Sequence, residues 1–219
     1  YERAMRDRAR VLGDAAKAGQ QPDPAWLSAL EATMVERGMA IAAARADLVR
    51  RLNPACAMGV GPFPAAGMTV SGVVDGWLAD RPALEAEDQF AGALAQSRAR
   101  DSHVRGASVG VHHSDFEVIH LAKNVPAAQC STGEQKALLI SIVLANARLQ
   151  TLDAGAVPLL LLDEIAAHLD EQRRAALFDE IVAMGAQAWM TGTDPALFAP
   201  LGDAAQHFAV ADASLRPVP

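Results

Sequence analysis

Lysine is nearly missing from this sequence: three stand in 219 residues, Lys17, Lys123 and Lys136. Each follows a residue other than glycine (Ala16, Ala122 and Gln135), so none completes the phosphate-cradling loop G-x-x-x-x-G-K-[ST]. Cysteine is as sparse. Cys56 and Cys130 stand far apart with no second Cys or His at metal-ligand spacing, and a reduced, cytosolic protein is the expectation. Long apolar runs are absent too. Hydrophobic residues make up 51% of the chain, enough for a core, yet no uninterrupted run approaches the ~20 residues that span a bilayer. No signal peptide is visible, so no membrane association is expected. Aromatics reach only 5% and alanine fills much of the apolar quota, which suits helices. A basic excess is also lacking: the formal charge of −7 argues against a surface that coats nucleic acid uniformly. The charge is uneven, with nine Lys/Arg against seven Asp/Glu in residues 1–51 and ten against nineteen in the rest. Any contact with DNA falls more naturally to the first segment.

What is present begins with helices. Residues 1–18 place Met5, Ala9 and Leu12 on one face, and Gly19-Gln20-Gln21-Pro22-Asp23-Pro24 breaks the pattern. A second helix starts near Asp23 with Pro24 at its first position, and its apolar period ends before Asn53-Pro54. Met68–Val74 reads as a strand turning at Asp75-Gly76, residues 83–103 as a charged helix, and Ser108–His112 and Phe116–Leu121 as two strands. Beyond Pro126 the pattern alternates. A helix from about Glu134 to Leu149 precedes a strand Val157–Leu162 and a helix Asp170–Met184. A strand Ala188–Thr191, a short helix after Pro195 and a strand Phe208–Ala211 follow. That alternation predicts a parallel α/β layer.

Two runs carry chemistry. Ser131-Thr132-Gly133-Glu134 is a capping box, Ser with Glu three residues on. The same geometry, a helix N-terminus with a small hydroxyl and an unhindered glycine, also offers N–H groups to an anion. Leu159–Leu162 followed by Asp163-Glu164 reads as a strand buried on both faces that ends in two acids. Ligands of such sheets bind beyond the strands' carboxyl ends. There Asp163 can hold Mg²⁺ through its water shell while Glu164 polarises an attacking water. Asp170 is most simply the cap of the next helix. Thr191-Gly192-Thr193-Asp194 follows a strand toward the same edge, and is either a turn before Pro195 or a γ-phosphate sensor. His112-His113 has no third ligand at a useful spacing and diverges if it lies on a strand, so a metal is not expected there. Trp26, Trp77 and Trp189 are expected in packing roles, and Arg3, Arg6, Arg8 and Arg10 on a solvated face.

Taken together, these residues resemble the RecF family of bacterial DNA replication and repair proteins, in the SMC-like branch of ABC ATPases. Cys130–Lys136 resembles the signature loop, with Ser131 and Gly133 facing phosphate; Leu159–Glu164 resembles Walker B, and Ala167-His168-Leu169-Asp170 contains the D-loop acid, Asp170. Trp189–Asp194 resembles the segment where transporter-type ATPases carry a switch histidine, with Thr193 in its place. Gly110-Val111-His112-His113-Ser114-Asp115 is similar to the family's G-P-H-R-x-D segment, with Val111 and His113 replacing its Pro and Arg.

The resemblance implies an α/β fold, the signature/Walker B half of an ABC-type ATPase head over 106–219, with a mostly helical arm over 1–105. It implies ATP and Mg²⁺ as cofactors, and an ATP-dependent homodimer in which Ser131, Thr132, Gly133 and Glu134 meet the partner's nucleotide. Asp163 would bind the metal and Glu164 would be catalytic. DNA, single-stranded or gapped, and the proteins RecR and RecO are the implied partners, with slow DNA-dependent hydrolysis and recombinase loading at gaps. The 219 residues alone are expected to be inactive, since no phosphate loop is present. Two rivals remain: another SMC-like head, disfavoured by short, Pro-interrupted helices where long coiled coils belong, and a non-enzymatic partner-binding module. A start at Tyr1, inside a helix with no preceding cap, is the expected mark of a truncated chain rather than of the latter.

Overall fold

The computed structural model describes residues 1–104, 106–165 and 169–218. Helices α1 (Glu2–Ala18) and α2 (Pro24–Ala57) open the chain. Gly19, left-handed at φ 64°, ends α1. Asp23 caps α2, its carboxylate accepting from Ala25 N at 2.8 Å with Pro24 in the first helical position. Contrary to the sequence expectation, α2 runs through Pro54 to Ala57. A proline so near a C-terminus breaks few helical bonds, and burial of Leu52 and Cys56 holds the last turn. That burial pushes the Cys56 thiol up to about 11, so it is an inert packing residue.

Then follow β1 (Ala66–Ser71), α3 (Val73–Asp80), α4 (Ala83–Asp101), β2 (Asp115–His120) and β3 (Val125–Pro126). Two expectations fail here. Residues 73–80 are a helix, not the end of a strand with a turn at Asp75-Gly76, because Val74 is carried fully into a helical core. Ser108–His112 is not a strand; Val111–His113 forms a 3-10 turn in which Val111 is buried. His112 and His113 both donate through Nε2 to Ala107 O, at 2.8 and 2.9 Å, which curls the segment back on itself. Their rings therefore lie side by side, 4.1 Å between centroids, instead of diverging. A carbonyl only accepts, so Nε2 carries the proton in each, and His112 Nδ1 accepts from the Tyr1 hydroxyl at 2.9 Å.

The remainder comprises α5 (Thr132–Ala154), β4 (Leu160–Leu162), α6 (Glu171–Ala183), β5 (Ala188–Met190), a 3-10 segment Pro195–Ala204, β6 (His207–Ala211) and β7 (Ser214–Val218). β4 and β5 are parallel, as the alternation of elements predicts, with Leu160↔Ala188, Leu161↔Trp189 and Leu162↔Met190 in register. Strand β7 is absent from the sequence reading; Pro217 disguises it. Asp212 and Ala213, both left-handed, make the tight turn that folds it back on β6. A sheet of order β1-β2-β3 completes the strands.

The chain divides into two compact units, Tyr1–Arg51 with Met68–Glu117, and Leu52–Gly67 with Val118–Pro219. The first has a core of Met34, Met39, Val74, Phe90, Leu94 and Val111. A methyl group on Gly38 of α2 would come within 2.7 Å of the Phe90 ring, so this helical glycine lets α4 approach. Arg8 is not on the solvated face expected of the N-terminal arginines; it is fully buried. The second unit's core joins Ala137, Ile140 and Leu144 of α5, Leu160 and Leu162 of β4, and Leu177, Phe178 and Ile181 of α6. By length and mean hydropathy α5 could cross a membrane, which reading apolar runs alone overlooked. Its buried residues include Ala137, Leu138, Ile140, Leu144 and Ala147, as befits the central helix of a core.

Strand β4 also departs from expectation. Leu160 and Leu162 are 6% and 8% exposed but Leu161 is 73% exposed, so residues 1–219 by themselves cover one face of the strand. Trp189, beside Leu161 on β5, is 52% exposed and Trp26 is 50% exposed. Of the three tryptophans only Trp77 lies against a core, 6.4 Å from Phe90.

Candidate functional site

The site residues lie at or beyond the ends of elements of the second unit. The first group is the N-terminus of α5. Ser131 accepts from Glu134 N at 3.4 Å, and Glu134 Oε2 accepts from Ser131 N at 3.0 Å and from Ser131 Oγ at 2.9 Å, the reciprocal pattern of a capping box. The Lys123 ammonium pairs with the other oxygen, Oε1. Hydrogen bonding from Lys123, then from the Ser131 backbone and hydroxyl, holds the Glu134 carboxyl down at about 2. Gln135 steadies the entering loop by donating to Ala127 O at 3.0 Å and Cys130 O at 3.2 Å. Thr132 and Gly133 are exposed, and a methyl group on Gly133 would meet nothing within 4 Å. The capping box is therefore formed as its spacing predicts, and Thr132 and Gly133 beside it are left open.

The second group lies at the carboxyl end of β4. Asp163 and Glu164 follow Leu162, and Glu164 turns out of the strand with φ 51°. That left-handed conformation is unfavourable for a glutamate. It is stabilised by Thr191, at the end of β5, whose hydroxyl accepts from Glu164 N at 2.9 Å and donates to Asp163 Oδ1 at 2.5 Å. Thr191 N in turn donates to Leu162 O at 3.1 Å, extending the parallel pairing. One hydroxyl thus fixes the carboxylate of one acid and the backbone of the next. The sequence pattern points to Thr193 in this segment; the residue that bridges the acids is Thr191. The signal that points to it is register, since Leu162 pairs with Met190 and the next residue on β5 stands beside the acids. Thr193 is exposed, and Gly192 before it packs so closely on Phe198 that a methyl group would come within 2.8 Å of the ring.

Asp170 caps α6, accepting from Arg173 N at 2.8 Å, with the Arg173 guanidinium 3.5 Å from its second oxygen. Ala167-His168, of the run that contains it, lies outside the described residues. An ion pair between Arg148 of α5 and Glu180 of α6 ties together the two helices that carry the capped ends. The structure joins Asp163, Glu164 and Thr191 by hydrogen bonds. Among the described residues none links them to Ser131–Glu134, to Asp170 or to Thr193.

The donor set at β4 suits a magnesium ion held in the usual manner, by one or two carboxylates with water and phosphate oxygens completing the octahedron. Asp163 Oδ2 has no partner among the described residues, and no three His, Cys, Asp or Glu there gather into a self-sufficient metal cage. For a nucleotide the fit is partial: two acids stand at the strand end, while a lysine-bearing loop that would cradle phosphates is not in this sequence.

No family model matches the chain. Among curated proteins it is similar to the DNA replication and repair protein RecF of Rhizobium rhizogenes, 48% identical over 213 residues, which are 96% of this chain and 55% of that one. RecF of Mesorhizobium japonicum is 47% identical over 219 residues, 99% of this chain and 56% of that one. The chain thus spans about half the length of the curated relatives it matches. Among solved structures it superposes on the recombination mediator protein RecF-ATPrS in the RecFOR pathway, with a TM-score of 0.80 at 17% identity, over 100% of this chain and 57% of that one. The corresponding RecF-ATP structure gives a TM-score of 0.76 with the same coverage. The fold is therefore α/β and of the ABC-type ATPase head kind, as the two motif runs imply.

Proposed function

The chain belongs to the RecF family, and from that premise we propose that it forms the signature and Walker B portion of a DNA repair and replication ATPase. The observation that carries the reading is the Asp163–Thr191–Glu164 constellation, with a metal-suited acid and a second acid turned out of the strand beside it. When bound, ATP with Mg²⁺ supplies a phosphoryl group for transfer to water and spreads the charge that develops. Asp163 holds the ion's water shell. Glu164 orients the attacking water and takes its proton at the side-chain carboxylate. Thr191 keeps both in place.

The α5 N-terminus serves a second nucleotide, held by the partner subunit of an ATP-dependent homodimer. Ser131, Thr132, Gly133 and Glu134 present their N–H groups and hydroxyls to its phosphates. Asp170 lies in the loop that crosses between subunits, and Thr193 senses the γ-phosphate. Each site then needs both subunits, so hydrolysis follows dimerisation, a sensible switch for a protein that clamps DNA. We assign DNA contact to the mostly helical residues 1–105 and the head to residues 106–219. RecO and RecR are the partners in recombinase loading at gapped DNA, in the cytoplasm. The free thiols Cys56 and Cys130 suit that compartment. Residues 1–219 by themselves should hydrolyse no ATP.

The decisive experiment uses the full-length protein carrying this chain. Glu164→Gln should retain ATP-driven dimerisation, read by light scattering, while turnover falls by about 10²–10⁴. Ser131→Arg should prevent dimerisation itself. Turnover unchanged in Glu164→Gln, or turnover by isolated residues 1–219, would show the site misread.

A further inference from the structure

A capping box places a carboxylate where the proposed function brings a phosphate. Glu134 Oε2 already takes the Ser131 N–H and the Ser131 hydroxyl proton, two of the donors this loop has to offer an anion. Left alone, that charge would repel a phosphate at the same helix end. Resting on the reading of this loop as phosphate-facing, we propose that Lys123 is its positioning residue, holding and neutralising the Glu134 carboxylate so that Ser131, Thr132 and Gly133 can receive the partner's nucleotide.

The lysine's placement is built. Strands β2 and β3 pair on either side of it, Ile119 with Pro126 and His120 with Val125. Lys123 N and Asn124 N both donate to His120 O, at 3.2 and 2.8 Å, and Asn124 closes the turn at φ 52°. The ammonium leaves this tight loop to meet Glu134 Oε1, the oxygen that the cap does not use. It is the cation that pairs with Glu134 among the described residues. With both partners partly in solvent, such a pair adds little to stability. Its consequence is electrostatic and local. It gives the carboxylate an anchor away from Ser131, so the hydroxyl can turn to a phosphate without releasing a free charge beside it. The carboxyl, held near 2, stays ionised at any working pH, so compensation is always required.

The test is a double-mutant cycle on ATP-driven dimerisation of the full-length protein, reading the half-saturating ATP concentration and kcat separately. Lys123→Met should raise that concentration about tenfold with kcat at saturation unchanged, and Lys123→Arg should restore it. On a Glu134→Gln background, which keeps a capping side chain but removes the charge, Lys123→Met should have no further effect. An unchanged concentration in Lys123→Met, or an equal loss on both backgrounds, overturns the proposal, because the lysine would then be idle or act other than through Glu134. Ser131→Arg separates the two levels. If it abolishes dimerisation while Lys123→Met does nothing, only the role of Lys123 falls; if it leaves dimerisation intact, the phosphate-facing reading of the loop falls, and this proposal with it.

Discussion

Two sets of acids in this molecule sit in opposite surroundings. In the first unit Glu31 and Asp101 are buried, and Arg8, fully buried itself, donates to Glu31 Oε1 at 2.9 Å, Asp101 Oδ2 at 2.8 Å and Leu94 O at 2.7 Å. Arg98 adds two bonds to Glu31, and Ser97 and Ser108 N complete Asp101. Burial alone would raise the Glu31 carboxyl, but hydrogen bonds from Arg98 and Arg8 outweigh it and hold it below its usual value. Asp101 is lowered in the same manner: burial opposes, and Ser97, Ser108 and Arg8 prevail. In the second unit Asp163 and Glu164 have only a threonine hydroxyl between them and no cation among the described residues. A carboxylate whose charge is satisfied within the protein locks helices together. One whose charge is left open at a strand end is available to a metal or a water.

The contrast can be broken most sharply at Arg8. Arg8→Met leaves the buried Asp101 without a cation among the described residues and Glu31 with Arg98 alone, and should cost about 3–5 kcal/mol, read from urea unfolding of residues 1–219. A loss below about 1 kcal/mol would mean the network is not what joins α1, α2 and α4. Acid sensitivity follows the same sign. Both carboxyls are depressed on folding, so their contribution is full above their ordinary values of 4.5 and 3.8 and fades as pH falls below them. In Arg8→Met that acid-dependent part of the unfolding free energy should shrink.

Next in size is Thr191→Val. Losing a hydrogen bond to a charged group, about 1.5–3 kcal/mol, should lower kcat of the full-length protein about 10–100-fold. Thr191→Ser should restore it. Equal activity in the valine variant would place Asp163 and Glu164 under other control. The smallest effect is at the α5 cap. Ser131→Ala should cost about 1 kcal/mol in the same unfolding measurement. The Glu134 carboxyl, depressed to about 2, contributes stability above its ordinary 4.5 that is lost as pH falls toward 2. Carboxyl NMR titration of Lys123→Met should find that value moved back up.

Much of the site was legible because its residues act through local geometry. Ser131 with Glu134 specifies a capping box by spacing alone, and Leu159–Glu164 announces a strand ending in acids. Thr191 was harder: it matters through a cross-strand register that joins residues 27 and 28 positions apart. Errors in the fold share that cause. Val73-Val74 favours a strand locally, yet the core takes Val74 as part of α3, and Pro54 signals a helix end that the buried Cys56 overrules. The arginines of α1 carry no mark that separates Arg8 from its neighbours until α2 and α4 enclose it.

By itself, then, the sequence determined the order of helices and strands in residues 130–194, the two caps of α5 and α6, and the pair of acids after β4. All are set by spacing within a few residues. Only the tertiary structure decided which arginine is buried, that β4 exposes Leu161, that two histidines share one carbonyl, and that Thr191 and Lys123 reach the acids they hold. Those outcomes depend on which distant segments pack together, and contact free energy between segments is not written in the periodicity of either one.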